Sequence, residues 1–161
     1  MDKELELDLV KKYPKILRDY KGDSMKTCMA WGIEMDGGWK VLLDKCMHKL
    51  QYFCDLCSKD ERDVQVVATQ LKEKYGILAF YFTVEGGTRE DWDIIDDIIS
   101  ETERKSAQVC EVTGEYGVLC KKNGWYKTLC YEEARKNGYV ACNEETEKYW
   151  VEKDKKANAQ V

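Results

Sequence analysis

Residues 110–134 read CEVTGEYGVLCKKNGWYKTLCYEEA, and this stretch decides how the C-terminal third of the chain folds. It contains three cysteines and three glycines. Asn123-Gly124 separates the segments VLCKK and WYKTLC, and this dipeptide predicts a β-hairpin because both residues tolerate the positive φ of a tight turn. We therefore predict a ribbon-like module over residues 106–134, with a hairpin that can form with or without a metal.

The rest of the chain has the composition of a globular protein. With 161 residues, 43% hydrophobic and 35% charged, it fits a single domain over residues 1–161. No apolar segment approaches the roughly 20 residues of a membrane helix. The acidic N-terminus MDKELELDLVKKY also lacks the apolar region of a signal peptide. We expect a cytoplasmic protein with no membrane partner, whose eight cysteines are free thiols or metal ligands.

Apolar periodicity predicts an α+β fold, with a small antiparallel sheet packed by two or three helices. The clearest helix spans residues 39–58, where apolar residues recur every three or four positions after Asp36, a predicted N-cap. Residues 27–35 are predicted to be a short strand or extended segment. The run ILAFYFTV at residues 77–84 predicts a strand. Residues 63–73 fit a strand or a helix, and we favour a strand that forms a hairpin with the next one.

Further helices are predicted on both sides of this sheet. An N-terminal helix should break at Pro14, because proline cannot continue a helix. Thr88 begins a capping-box pattern that opens a helix to about residue 109. A short helix over residues 131–137 and a helical tail over residues 143–161 complete the chain.

Several segments together resemble a known family. They are TCMAWGIE followed by GGW, the central ATQLKEKYGILAFY, then CEVTG and GWYKTLC. This combination resembles a family of small, largely uncharacterised proteins of tailed bacteriophages, from about residue 13 to residue 134. The resemblance indicates kinship and by itself implies no chemistry.

In that family the C-terminal module often carries Cys-x2-Cys followed by Leu-Cys-x2-His, a zinc-ribbon-like set of four ligands. The resemblance places the four positions at Cys110, Thr113, Cys130 and Glu133. Threonine is not a normal structural zinc ligand, and glutamate is uncommon in closed structural sites. The resemblance therefore implies a degenerate zinc site in this chain.

A four-cysteine zinc site is the alternative ligand set. Its members would be Cys110, Cys120, Cys130 and Cys142. These spacings contain no Cys-x2-Cys pair, so we favour the interpretation that the four are small buried hydrophobic residues. Cys54-x2-Cys57 lies near the C-terminal end of a predicted helix, where the helix dipole disfavours a thiolate. That pair is also interpreted as core.

The predicted hairpin carries candidate ligand-binding residues. They are Lys121, Lys122, Trp125 and Lys127. Basic and aromatic side chains on a ribbon suit contacts to nucleic acid. A net charge of −5 argues against broad binding driven by phosphates, although it allows a local basic patch.

Three other features suggest chemistry less specifically. Asp93 and Asp97 are one helical turn apart and could hold Mg²⁺ in a nuclease, although acidic helix faces are usually only solvated. Residues 85–88 precede a helix N-terminus that could meet a phosphate, but they lack the lysine of a P-loop. The chain has a single histidine, His48, and this restricts Ser-His, Cys-His and His-metal chemistry. His48 is predicted at the surface.

From these patterns we favour a non-enzymatic binding protein, and we identify no catalytic set. The bacteriophage resemblance implies an accessory role against the host, by capture of a host protein or of a small nucleotide signal used in defence, in the host cytoplasm. A nucleic-acid-binding module and a carboxylate-metal nuclease are the alternatives. Bound zinc, enzymatic activity and a homo-oligomer are left open by the sequence.

Overall fold

The computed structural model describes residues 1–159. This part of the chain forms five α-helices and two three-stranded sheets, which confirms the predicted α+β fold with small sheets packed by helices. The helices are α1 (Lys3–Lys12), α2 (Lys40–Lys59), α3 (Arg89–Ser106), α4 (Tyr131–Asn137) and α5 (Glu144–Asn158). The strands are β1 (Ile33–Glu34), β2 (Val64–Lys74), β3 (Ile77–Gly86), β4 (Val118–Lys122), β5 (Trp125–Leu129) and β6 (Val140–Ala141).

The first sheet has the order β1-β2-β3 and is built on the β2–β3 hairpin. β2 and β3 pair antiparallel along their lengths, which confirms the strand interpretation of residues 63–73. Tyr75 and Gly76, with φ of 53° and 85°, form the turn. β1 is parallel to β2, with Ile33 opposite Leu71, so one short parallel strand extends the predicted antiparallel sheet.

The main core lies where α1, α2 and α3 pack against this first sheet. Helix α2 buries six side chains, as its predicted periodicity requires, including Leu50, Cys54 and Cys57. The two cysteines are each 1% exposed, so their interpretation as core residues is confirmed. Helix α1 ends at Lys12, just before Pro14, where the break was predicted.

The C-terminal module forms the second sheet, with the order β5-β4-β6. Asn123 and Gly124, with φ of 48° and 83°, join β4 to β5 and confirm the predicted hairpin. Helix α4 ends at Gly138, which has φ of 73°. Asn143 caps α5 by accepting the Thr146 N–H at 2.9 Å. The predicted helical tail is confirmed to Asn158, and residues 160 and 161 lie outside the described residues.

A second, smaller core holds this module together. Its buried members are Cys110, Cys120, Leu129, Cys130, Ala134, Ala141 and Trp150. Hydrogen bonds join it to the main body, because Gly38 N–H donates to Glu111 O at 2.7 Å and Trp39 Nε1 donates to Val109 O at 2.7 Å. One attachment of the module is therefore at the residues that lead into α2.

Three boundary predictions need correction. Asp36 does not cap α2, because a 3₁₀ helix at Gly37–Trp39 precedes that helix and the Asp36 side chain makes no capping hydrogen bond. Residues 27–35 are a 3₁₀ helix followed by the two-residue strand β1. Helix α3 ends at Ser106, three residues before its predicted end, although its Thr88–Asp91 capping box is confirmed.

Within residues 1–159, no helix combines the length and apolar character that crossing a bilayer requires.

Candidate functional site

A cavity of about 420 Å³ opens between α2 and α3. Its buried and half-buried lining includes Tyr13, Leu42, Cys46 and Thr102. Its exposed basic lining residues are Lys45, His48, Lys49 and Lys105. This volume falls in the range of about 300–1,000 Å³ typical of small-molecule sites. The cavity thus combines an apolar floor with a basic rim.

The first of its two carboxylates, Asp44, is already satisfied by neighbours within the protein. Tyr13 donates its hydroxyl proton to Asp44 Oδ1 at 2.5 Å, and Lys12 Nζ lies 2.8 Å from Oδ2. Partial burial raises the pKa of Asp44, but hydrogen bonds from Lys12 and Tyr13 outweigh it and lower that pKa to about 2. Burial together with the Asp44 contact raises the pKa of Tyr13 to about 12.

The second carboxylate, Glu101, is also paired. Lys105 Nζ donates to its Oε1 at 2.6 Å and Lys49 Nζ to its Oε2 at 2.9 Å. These two hydrogen bonds, the Lys105 one first, lower the pKa of Glu101 to about 2. Asp44 also contacts Lys40, whose Nζ lies 3.4 Å from its Oδ2. Because each carboxylate already contacts two lysines, the charge left over at the rim is positive.

Lys45 and His48 complete that rim on the outer face of α2. Both are exposed, which confirms the surface position predicted for His48. Within residues 1–159, Lys45 has no ion pair, and His48 has no hydrogen-bond partner that would orient its imidazole. These two side chains are therefore available to a bound anion.

The predicted ligand-binding residues of the hairpin do not share one face. Lys121 lies opposite Tyr126 and Lys122 opposite Trp125, so Lys121 points to one side of the ribbon and Lys122 to the other. Trp125 is 74% exposed at the hairpin tip. Lys122 Nζ donates to the Asn137 carbonyl at 2.7 Å, at the C-terminal end of α4.

Lys127 has a structural partner on each side. Its Nζ lies 3.1 Å from Asp36 Oδ2 and 3.4 Å from Glu111 Oε2. Glu111 is 2% exposed, and this burial raises the pKa of its carboxyl, while the Lys127 charge opposes the rise. Lys121 and Trp125 therefore point to solvent from opposite faces of the hairpin. Lys122 and Lys127 instead contact acceptors within the protein.

The four predicted zinc ligands fall into two places. Cys110 and Cys130 face each other beside Thr113, whose hydroxyl lies 3.9 Å from Cys130 Sγ. Cys120 lies next to Cys142 at the pairing of β4 with β6. Burial raises the pKa of Cys120 to about 12. Within residues 1–159, the four sulfur atoms do not gather into one ligand cluster, so the four-cysteine zinc site stays a prediction without a preformed geometry.

Cys110 has an unusual environment among these thiols. Burial raises its pKa, but the Thr113 hydroxyl and the backbone N–H groups of Thr113, Cys130 and Val112 lower it by more. Cys130 shows the opposite balance, because burial and the adjacent Cys110 thiol raise its pKa. Cys110 and Cys130 are therefore neighbouring buried thiols whose pKa values are shifted in opposite directions.

The remaining candidate features are exposed or internally satisfied. Asp93 and Asp97 lie on the solvent face of α3. At the N-terminus of α3, Asp91 accepts the Thr88 N–H at 2.9 Å and pairs with Arg62 at 2.6 Å. The Thr88 backbone first, and then Arg62, lower the pKa of Asp91. This helix end is therefore capped by the protein itself.

Only an indirect sign of the α2–α3 cavity is visible in the sequence. Lys45 and Lys49, one turn apart beside the apolar stripe of α2, form a basic helix face, but Lys105 comes from a helix more than 50 residues further along the chain.

Comparisons with protein-family models, curated proteins and solved structures find no significant match to this chain. The candidate site therefore rests on its own geometry.

Proposed function

We propose that this protein is a non-enzymatic binding protein that holds a small anion with an aromatic or apolar body, of the nucleotide class, in the α2–α3 cavity. The observation that carries the proposal is a basic rim, with its carboxylates already paired, around an apolar floor. Apolar lining suits a ring, and surplus lysines suit phosphate.

The same lining supports binding over catalysis. Tyr13, Asp44 and Cys46 have pKa values of about 12, about 2 and about 11, far from the neutral range in which a general acid or base works best. Burial is the main cause for the Cys46 thiol. His48 lacks an orienting partner within residues 1–159. The cavity thus offers groups that can hold charge, with little to move a proton.

The bacteriophage resemblance supplies the biological setting for this proposal. A protein that holds a nucleotide without converting it would lower the free concentration of that nucleotide. In the host cytoplasm, such an accessory protein would sequester a nucleotide signal used in defence. Capture of a host protein is the competing form of the same role.

Isothermal titration calorimetry with nucleoside monophosphates, cyclic mononucleotides and cyclic dinucleotides tests the proposal. We expect at least one of them to bind, and inorganic phosphate to bind far more weakly because it lacks a ring for the apolar floor. Lys45→Glu should weaken that binding by about tenfold or more, since it reverses a charge at the rim. Lys59→Glu is the matched control, because Lys59 is exposed on the same helix and lies outside the cavity lining.

Either of two results would contradict the proposal. One is no detectable heat with any nucleotide in the panel. The other is equal weakening by Lys45→Glu and Lys59→Glu, which would indicate a general effect of net charge. Salt-sensitive binding to single-stranded DNA or RNA that depends on Lys121 and Trp125 would favour the nucleic-acid alternative instead.

A further inference from the structure

One cluster of three metal-ligating side chains is present in residues 1–159, and it lies in the C-terminal module. The Cys130 sulfur and a carboxylate oxygen from each of Glu115 and Glu132 all lie within 4.8 Å of one another. They line a cavity of about 300 Å³ bounded by Trp150 of α5. We propose that Glu115, Cys130 and Glu132 bind one borderline divalent cation, of the Zn²⁺ or Co²⁺ type.

The fold holds each of these three residues in place. Cys130 is the last residue before α4 and Glu132 lies in the first turn of that helix, so their spacing is fixed by the start of the helix. Glu115 is anchored through its backbone, because Cys110 N–H donates to Glu115 O at 2.7 Å and Glu115 N–H donates to Thr113 Oγ1 at 3.2 Å. The fold therefore fixes the backbone positions from which the three ligands approach one another.

Electrostatics favours a cation at this point. Two carboxylates that approach within 4.8 Å repel each other when both are ionised. Within residues 1–159, Glu115 has no ion pair, and Glu132 has only Lys153, whose Nζ lies 3.5 Å from its Oε1. A divalent ion between the oxygens would replace this repulsion with attraction on both sides.

The donor set selects the kind of metal. A thiolate with two carboxylates suits Zn²⁺ and Co²⁺, which accept sulfur and oxygen together, whereas Mg²⁺ and Ca²⁺ prefer oxygen alone. Cys130 is 5% exposed while both glutamates are exposed, so the site has a buried sulfur and an open, solvent-facing side. Three protein ligands leave a fourth position for water.

This site differs from the two ligand sets considered from the sequence, since each shares only Cys130 with it. Thr113, which occupies a ligand position in the zinc-ribbon-like arrangement, is here a neighbour of two ligands. Its hydroxyl lies 3.5 Å from Glu115 Oε2 and 3.9 Å from Cys130 Sγ. The acidic ligands thus come from Glu115 and Glu132, and Glu133 is not in the cluster.

Titration of the full, metal-free chain with Co²⁺ in a non-thiol reductant tests the inference by absorption spectroscopy. We expect a sulfur-to-cobalt charge-transfer band that Zn²⁺ displaces and Mg²⁺ does not. Cys130→Ser should abolish the band, and Glu115→Gln or Glu132→Gln should each weaken Co²⁺ binding by at least about tenfold. Cys28→Ser and Glu144→Gln serve as controls for an exposed thiol and an exposed carboxylate outside the cluster, and should leave binding unchanged.

The two glutamine variants keep the test decisive if Cys130→Ser does not fold, because both glutamates are exposed. Absence of a charge-transfer band in the unaltered chain would overturn the proposal. A band that survives both glutamine changes and disappears in Cys142→Ser would also overturn it, and would assign the metal to the four-cysteine set.

Discussion

The main body and the C-terminal module are held together in different ways. The main core contains 23 buried residues, mostly aliphatic and aromatic, whereas the module core contains seven, of which three are cysteines. Because hydrophobic stabilisation grows with buried apolar area, packing stabilises the main body far more than it stabilises the module. The comparison indicates that the module depends on its junction with the main body.

The junction is polar and closely fitted. Thr128 is fully buried and donates to Gly76 O at 2.6 Å, and the buried Glu111 accepts the Asp36 N–H at 3.2 Å. A Cβ added at Gly38 would lie 2.4 Å from Cys110 O, so only glycine lets the two backbones approach this closely. Within residues 1–159, Glu111 Oε2 has no hydrogen-bond partner and meets only the Lys127 ammonium at 3.4 Å, so the junction depends on that ion pair as well as on its hydrogen bonds.

The largest expected effect is loss of packing in the main core. Leu50→Ala should destabilise the protein by about 2–5 kcal/mol, because Leu50 is fully buried and its removal leaves a cavity. Urea denaturation measures this change.

Leu129→Ala, in the module core, should instead lower hydrogen-exchange protection mainly in β4, β5 and α4. Equal loss of protection over the whole chain in Leu129→Ala would contradict the comparison, because it would make the two regions one cooperative unit.

The next effect comes from the junction. Lys127→Met should cost about 1–3 kcal/mol, since it leaves the buried Glu111 carboxylate without its cation. The double variant with Glu111→Gln should recover much of the loss, because the amide oxygen still accepts the Asp36 N–H. Lys136→Met is the control, with a side chain that is 74% exposed, and should change the unfolding free energy by less than about 0.5 kcal/mol.

A smaller effect distinguishes the two hairpin turns. Gly76 and Gly124 have nearly the same φ, 85° and 83°, so alanine should strain either backbone by about 1–2 kcal/mol. A Cβ at Gly76 would also lie 2.5 Å from Leu119 Cδ1, across the junction, whereas nothing lies within 4 Å of one at Gly124. We therefore expect Gly76→Ala to lower the melting temperature more than Gly124→Ala. Equal decreases in melting temperature would contradict this expectation, because they would mean that Leu119 moves away from the added Cβ at no energetic cost.

The smallest effect is the pH dependence, which should have opposite signs in the two regions. The pKa of Asp44 is lowered from 3.8 to about 2 in the folded protein, chiefly by Lys12 and Tyr13 acting against burial, so its stabilisation is present above pH 3.8 and disappears as pH falls through about 2. Burial raises the pKa of Glu111 above 4.5, so its contribution is complete below pH 4.5 and is lost as pH rises through the folded-state pKa.

Melting temperatures of Asp44→Asn and Glu111→Gln between pH 2 and pH 8 measure these two contributions. The deficit of Asp44→Asn relative to the unaltered protein should shrink toward pH 2. The stability of Glu111→Gln relative to the unaltered protein should rise as pH increases above 4.5. Parallel pH profiles for the two variants would contradict the assignment.

Local patterns predicted most of the secondary structure. The Asn123-Gly124 turn, the stripe of α2 and the Thr88 capping box are encoded within a few residues, and each formed as expected. The prediction that Asp36 caps α2 was wrong. Its carboxylate accepts a hydrogen bond from Lys127, 91 residues away, instead of from the start of the adjacent helix. Lys127 stays a predicted ligand contact, and the sequence could not show that its ammonium is paired, because Asp36 and Glu111 are distant from it along the chain.

The candidate sites were less predictable than the elements that carry them. The α2–α3 cavity needs Lys45 and Lys105 on two packed helices, and the metal cluster needs Glu115 to approach Cys130 and Glu132 across the module. Spacing in the sequence reports neighbours along one helix or strand, but it does not report which elements pack together. The sequence alone therefore determined helices, turns and the α+β class, because propensity, capping and turn geometry act over a few residues. Only tertiary packing decided which charges are paired, which thiols meet and where the cavities open, since those depend on contacts between distant segments.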